Sequence, residues 1–146
     1  MDNFDIIGVL EAYAIAKGWH FVYGFDDFDS NIGVMKDYAP GELVLIADFN
    51  STPVYKNGKI PEITYNCLLM LGRKFDADST PSSLEETPKQ KYDRRLKVLA
   101  QTLANSIAEI GCQNELEIPS APISVNINVY DTNLDFAISN TATFVQ

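Results

Sequence analysis

The sequence predicts an α+β fold: a mixed or antiparallel sheet of four to six strands, a long helix packed on one face, and an N-terminal helix. Three observations carry this. Tyr92, Leu96, Leu99, Leu103, Ile107 and Ile110 recur every three or four residues, the spacing of one helix face. Ile123, Val125, Ile127 and Val129 alternate with Ser124, Asn126, Asn128 and Tyr130, the period of a half-buried strand. Leu43–Phe49 is almost continuously apolar and β-prone, as a strand covered on both faces would be.

In chain order, residues 3–17 read as a helix with Phe4, Ile7, Leu10 and Ala14 on one face and Ile6, Val9 and Tyr13 widening it. Asp2 and Asn3 suit its cap, Asp5 its positive end, and Gly18 stands where the chain should leave it. This is more apolar surface than one stripe needs, so the helix is expected to be covered on two sides or to meet a neighbouring subunit. Trp19–Phe25 reads as a strand, Asp26–Asn31 as a polar turn and Ile32–Lys36 as the returning strand of a hairpin. Tyr38-Ala39-Pro40-Gly41 is a second turn. After Leu43–Phe49, Asn50–Pro61 is a loop or ribbon excursion, with a two-residue turn expected at Asn57-Gly58. Ile63–Leu71 is the next strand, and 72–87 is a polar, interface-like loop.

Thr87-Pro88-Lys89-Gln90 is a capping box, with Thr at the cap, Pro at the first helical position and Gln three residues on. The helix it opens should run to Ile110 and end at Gly111. Its first turns hold Lys89, Lys91, Arg94, Arg95 and Lys97, five of the eleven basic residues, which should form a solvated or intersubunit face. Leu116 and Ile118 alternate, and Pro119 and Pro122 interrupt. Asp131-Thr132-Asn133 turns the 123–129 strand into a final antiparallel partner holding Phe136, Ile138 and Phe144.

Composition bounds the function. The chain has 146 residues and a net charge of −9, with 46% hydrophobic and 21% charged residues. That suits one domain able to bury roughly 68% of its extended surface. An acidic chain has little basic surface with which to neutralise phosphates or anionic lipid. No basic segment followed by an apolar core opens the sequence, and no apolar run is long enough to span a bilayer. Cys67 and Cys112 read as buried free thiols. Asp27, Asp29 and Asn31 imitate a calcium loop, but Ile32 and Tyr38 occupy the positions that need Gly and Glu. His20 is the lone histidine, and no phosphate loop, zinc spacing or nucleophile–base pair is present. No catalytic residue, metal or cofactor is expected.

The element order resembles the tail-completion or tail-terminator proteins of tailed bacteriophages, and related head-to-tail connector ring proteins. The pieces carrying the likeness are Trp19–Gly24, Leu43–Tyr55 with its Thr52-Pro53 step, Leu71-Gly72-Arg73, Glu86-Thr87-Pro88 and Asn128–Phe136. The resemblance implies a non-enzymatic virion subunit in a homo-oligomeric ring of six or twelve copies. Its partners would be portal, connector or tail proteins, and DNA would pass through the lumen without sequence-specific binding. It also implies intersubunit roles for Asn50–Pro61, with Val54 and Tyr55, and for Arg73–Glu86, with Arg73 and Lys74. Residues 98–146 contain acids but no Lys or Arg, so Arg94 and Arg95 of one copy are expected to face Asp131 and Asp135 of the next. The alternative is a small adaptor that binds a peptide or protein along the 113–130 strand edge.

Overall fold

The structure, a computed structural model, describes residues 4–24, 38–74, 87–127 and 134–146. The expected Asp26–Asn31 turn with its calcium-like pattern, the Ile32–Lys36 strand, most of the 72–87 loop and the turn bearing Asp131 lie outside the described residues.

Helix α1 spans Ile6–Ala16, followed by strands β1 (His20–Tyr23), β2 (Leu43–Val54) and β3 (Glu62–Lys74). A composite helix, α2, is α-helical over Pro88–Lys91, π-helical over Tyr92–Leu96 and α-helical again over Lys97–Gln113. Strands β4 (Glu117–Ser120), β5 (Ser124–Ile127) and β6 (Leu134–Val145) complete the α+β fold. The six strands form one mixed sheet in the order β1-β2-β3-β6-β4, with β5 also pairing β6. β1 runs parallel to β2, and the remaining pairs are antiparallel.

Each helix end has a local chemical cause. Asp5, rather than Asp2 or Asn3, caps α1: its Oδ1 accepts from the Ile7 N–H at 3.1 Å. Gly18 closes that helix at φ +76°, while the Trp19 N–H donates to the Ala14 carbonyl and the Gly18 N–H to that of Ile15. At α2 the capping box forms in both directions, Gln90 N–H to Thr87 Oγ1 at 3.2 Å and Thr87 N–H to Gln90 Oε1 at 3.0 Å. The helix outruns the expected stop at Gly111. Asn114 caps it, Glu115 takes the left-handed conformation at φ 53°, and the Leu116 N–H returns to the Gly111 carbonyl at 2.8 Å. Gly111 instead allows close approach, since a Cβ there would collide with Ile118.

Both helices pack on one sheet face. Leu10 and Tyr13 of α1 and Leu99, Leu103, Ile107 and Ile110 of α2 share a core with Leu45, Leu69, Leu71 and Phe144. Tyr92, placed on this stripe by its spacing, is exposed instead. On the opposite sheet face Val44, Ile46, Met70 and Phe136 form a second, smaller buried cluster. A bulge divides β6 between the two cores. Cys67 pairs with Ala142 but Leu69 with Ser139, so β6 carries one extra residue at Asn140–Thr141. The extra residue shifts the alternation, letting Phe136 and Phe144 enter opposite faces.

Candidate assembly surfaces

The sheet has two chemically different ends. At one end, β2 and β3 run on past the last β6 pair, Thr64 with Val145, and finish as a short two-stranded ribbon in which Pro53 pairs with Ile63 and Val54 with Glu62. A two-stranded ribbon can bury little of its own tip, and Val54, Tyr55 and Ile60 stand 43%, 78% and 70% exposed. Lys56 and Lys59 flank them, Lys56 lying 3.5 Å from Glu62. The turn departs from the expected two-residue form. The Lys59 N–H donates to the Lys56 carbonyl, and Gly58 takes positive φ at +70° while Asn57 does not. A primed hairpin turn of the expected kind needs positive φ at both central residues.

The other end gathers Arg73, Lys74, Arg94, Arg95 and Asp135, roughly 35 Å away along β3 at about 3.3 Å per residue. Here the expected intersubunit role of Arg95 and Asp135 is corrected, while Asp131 lies outside the described residues. Arg95 and Asp135 are both fully buried within one subunit, joined by Nε–Oδ2 and Nη2–Oδ1 hydrogen bonds of 2.8 and 2.6 Å. Asp135 pairs with Arg73 in the sheet, and Arg73 Nη2 donates to the Arg95 carbonyl at 3.1 Å. Burial lowers the Arg73 pKa, an effect opposed by the Asp135 charge. The physical reason lies in the helix. The π turn widens the backbone at Tyr92–Leu96 and directs both Arg95 and Leu96 at the sheet, while Arg94 remains outside. A forked guanidinium and a carboxylate at this geometry satisfy each other. Arg95 and Asp135 are therefore unavailable to a neighbouring copy.

Two depressions flank the helices. A cleft of about 1090 Å³ runs beside α1, past Phe4, Gly8, Ala12, Ala16, Gln113 and Gln146. At its side Tyr13 donates from its hydroxyl to Glu109 Oε2 at 2.5 Å, and Lys17 Nζ lies 3.3 Å from the same oxygen. The Tyr13 hydrogen bond, then Lys17, hold the Glu109 carboxyl below its ordinary pKa. The excess apolar residues of α1 are thus divided: Ile6 and Leu10 are buried, but Ile15 is 65% exposed. A smaller groove of about 280 Å³ lies between α2 and the β4–β5 segment, lined by Ala104, Ile107, Ala108, Ile118, Ala121 and Ile123. The expected interface stretch Asn50–Pro61 includes Ile60 without singling it out, and of the groove only Ile118, Ala121 and Ile123 fall in the 113–130 edge of the alternative reading.

 

Their signal in the sequence is weak: Ile60 is an apolar residue inside a turn, and the groove is assembled from three segments whose apolar positions otherwise read as core.

His20 and the two cysteines are the other chemistry-bearing residues that the sequence singled out. His20 Nε2 lies 2.8 Å from Glu42 Oε2, and the ring stacks on Tyr38 at 3.7 Å. The contact with His20 lowers the Glu42 pKa. Cys67 is buried, which pushes its thiol up to about 12. Cys112, also expected inside, is exposed, because Gly111 rather than its neighbour takes the inward position under Ile118. Neither cysteine forms a disulfide. Among the described residues, no group of three or more His, Cys, Asp or Glu is placed to hold a metal ion, and no helix is long and apolar enough to cross a membrane. No family model matches the chain, and comparison with curated proteins finds no match.

Proposed function

We propose that the protein is a non-enzymatic structural subunit of a bacteriophage head-to-tail connector or tail-terminator ring around the DNA channel. One observation supports the assembly part of this reading: the projecting ribbon presents Val54, Tyr55 and Ile60 to solvent, three of the seven large apolar side chains that stand exposed among the described residues, and the two most exposed of them are Tyr55 and Ile60. The phage part rests on the resemblance in element order. The net charge of −9 suits a passage through which DNA must slide without sticking.

Magnitudes favour a closed ring over an isolated dimer. Burying the exposed share of Val54, Tyr55 and Ile60 contributes about 3–6 kcal/mol, at about 1.5–3 for a fully exposed side chain. Association costs about 4–15 kcal/mol before any surplus appears. A single contact of this size is weak, whereas a ring gives every copy two such contacts and closes on itself. Portal, connector or tail proteins would template that closure in the virion.

The adaptor alternative draws on the β4–β5 edge, which pairs with β6 on one side. Pro119 within β4 and Pro122 just after it remove backbone donors, which suits a blunted edge better than one that accepts a further strand.

The test is mass photometry and negative-stain microscopy of the purified chain, alone and mixed with the portal and tail proteins encoded beside it. Rings with a central opening are expected in the mixture. A chain that stays monomeric with every one of those proteins would overturn the reading.

A further inference from the structure

Among the described residues, the subunit offers a convex apolar surface and, elsewhere, a concave aliphatic one. The convex surface is the ribbon tip, where Tyr55 and Ile60 are the most exposed large apolar side chains and Lys56 and Lys59 supply positive charge. The concave surface is the groove between α2 and the β4–β5 segment. At about 280 Å³ it falls near the lower limit of small-molecule sites. Its lining is entirely aliphatic, so it holds no polar side chain to orient a small ligand; it fits apolar side chains.

Charge and position select the occupant. The groove belongs to the stretch from Val98 to Gln146, which contains no Lys or Arg. Glu115 and Glu117, both exposed, stand in the turn and strand leading to Ile118. A tip carrying two lysines therefore meets an acidic surround. The two surfaces also lie at the same end of the sheet, since Thr64 pairs with Val145 and Val145 with Glu117. In strand order the tip belongs to β2 and β3, the groove to β4 and β5, and β6 lies between them. Tyr55 at 78% exposure is not in its own subunit's groove.

We infer that the ribbon tip of one copy seats in the α2–β4 groove of another, with Tyr55 and Ile60 against Ala104, Ala108, Ile118 and Ile123, and Lys56 and Lys59 near Glu115 and Glu117. This deepens the ring reading and rests on it for closure, although the contact itself needs only two copies. Because tip and groove are different surfaces, repetition of the contact in one direction generates a ring or a filament.

The experiment is disulfide trapping in the full chain, with Cys112→Ser to remove the exposed native thiol. One preparation carries Tyr55→Cys, a second carries Ala104→Cys at the exposed groove rim, and a third carries both. Oxidising the mixed single variants should yield a dimer joining one to the other, and the third preparation should yield a ladder of higher species. Adding Tyr55→Asp to the otherwise unmodified chain should reduce multi-copy particles about tenfold, the loss expected when a central anchor is removed, with circular dichroism unchanged. Raised salt should weaken the contact through the lysines. Particles that form without any Tyr55→Cys to Ala104→Cys bond would overturn the inference and leave the ring reading standing. A ladder that stops at two would support the tip-in-groove contact, as a reciprocal exchange, and overturn the ring. Monomers under every condition would overturn both.

Discussion

The first turns of α2 and the tip of the β2–β3 ribbon are both basic, and they dispose of their charge in opposite directions. At α2, Arg95 lies wholly inside the subunit because β6 brings Asp135 to meet it and the π turn aims it there. At the ribbon, Lys56 and Lys59 stay outside with Tyr55 and Ile60, because a two-stranded excursion has no second layer to bury anything against. The difference teaches that a basic run becomes architecture where a carboxylate from another element enters the same core. Where none does, it remains surface.

The largest effect should come from breaking the inner pair. Asp135→Ala leaves a buried guanidinium without its carboxylate and should cost about 3–5 kcal/mol in urea denaturation. Arg95→Glu, which sets two carboxylates against each other, should be at least as damaging. Replacing both together, Arg95→Met with Asp135→Leu, should recover most of that loss, since an apolar pair of similar volume has no charge to strand. A wild-type midpoint for Asp135→Ala would mean that the pair is not buried as described.

Next comes the packing under the same helix. Leu103 is 1% exposed in the larger core, and Leu103→Ala should destabilise by about 2–5 kcal/mol in the same assay. A loss below about 0.5 kcal/mol, the range of surface substitutions, would place that helix face in solvent.

The ribbon should respond oppositely. Tyr55→Asp should change folding stability by no more than about 0.5 kcal/mol while altering assembly. If it unfolded the chain as Asp135→Ala should, the contrast between the two basic segments would collapse.

The smallest effect is a pH dependence. Glu109 has a folded pKa below its ordinary value of 4.5, first through the Tyr13 hydrogen bond and then through Lys17. A depressed carboxylate contributes stability that is present above its unfolded pKa and lost as pH falls through its folded one. Urea midpoints measured from about pH 6 down to about pH 3 should therefore drop less for Glu109→Gln than for the unmodified chain. The exposed setting of Glu109 keeps this contribution small.

Features set by near neighbours were legible in the residues. The Thr87–Gln90 box and the Gly18 stop each depend on atoms within a few positions, so the side-chain types carry the answer. The ribbon tip at Val54 and Tyr55 was legible as an excursion, whereas its turn geometry was not: Asn57-Gly58 permits the tight form, but the seven residues from Tyr55 to Pro61 separate the strands and relax it. The groove was illegible, because Ile107, Ile118 and Ile123 show the same periodicity whether they fill a core or line a depression.

By itself, then, the sequence determined the α+β class, the long helix with its apolar face, the alternating strand at 123–129 as far as it is described, and the chemistry of the helix caps. These follow from period and from local hydrogen bonding, which act over a few residues. Only the tertiary structure decided that Arg95 points inward, that Gly111 serves close packing rather than a helix stop, and that β6 changes faces at Asn140–Thr141. In each case the deciding partner is distant in the chain or in another element: Asp135 lies 40 residues from Arg95, Ile118 crosses over Gly111, and β3 imposes the register that β6 must bulge to match. Burial and pairing energies of that kind exist only once the elements have met.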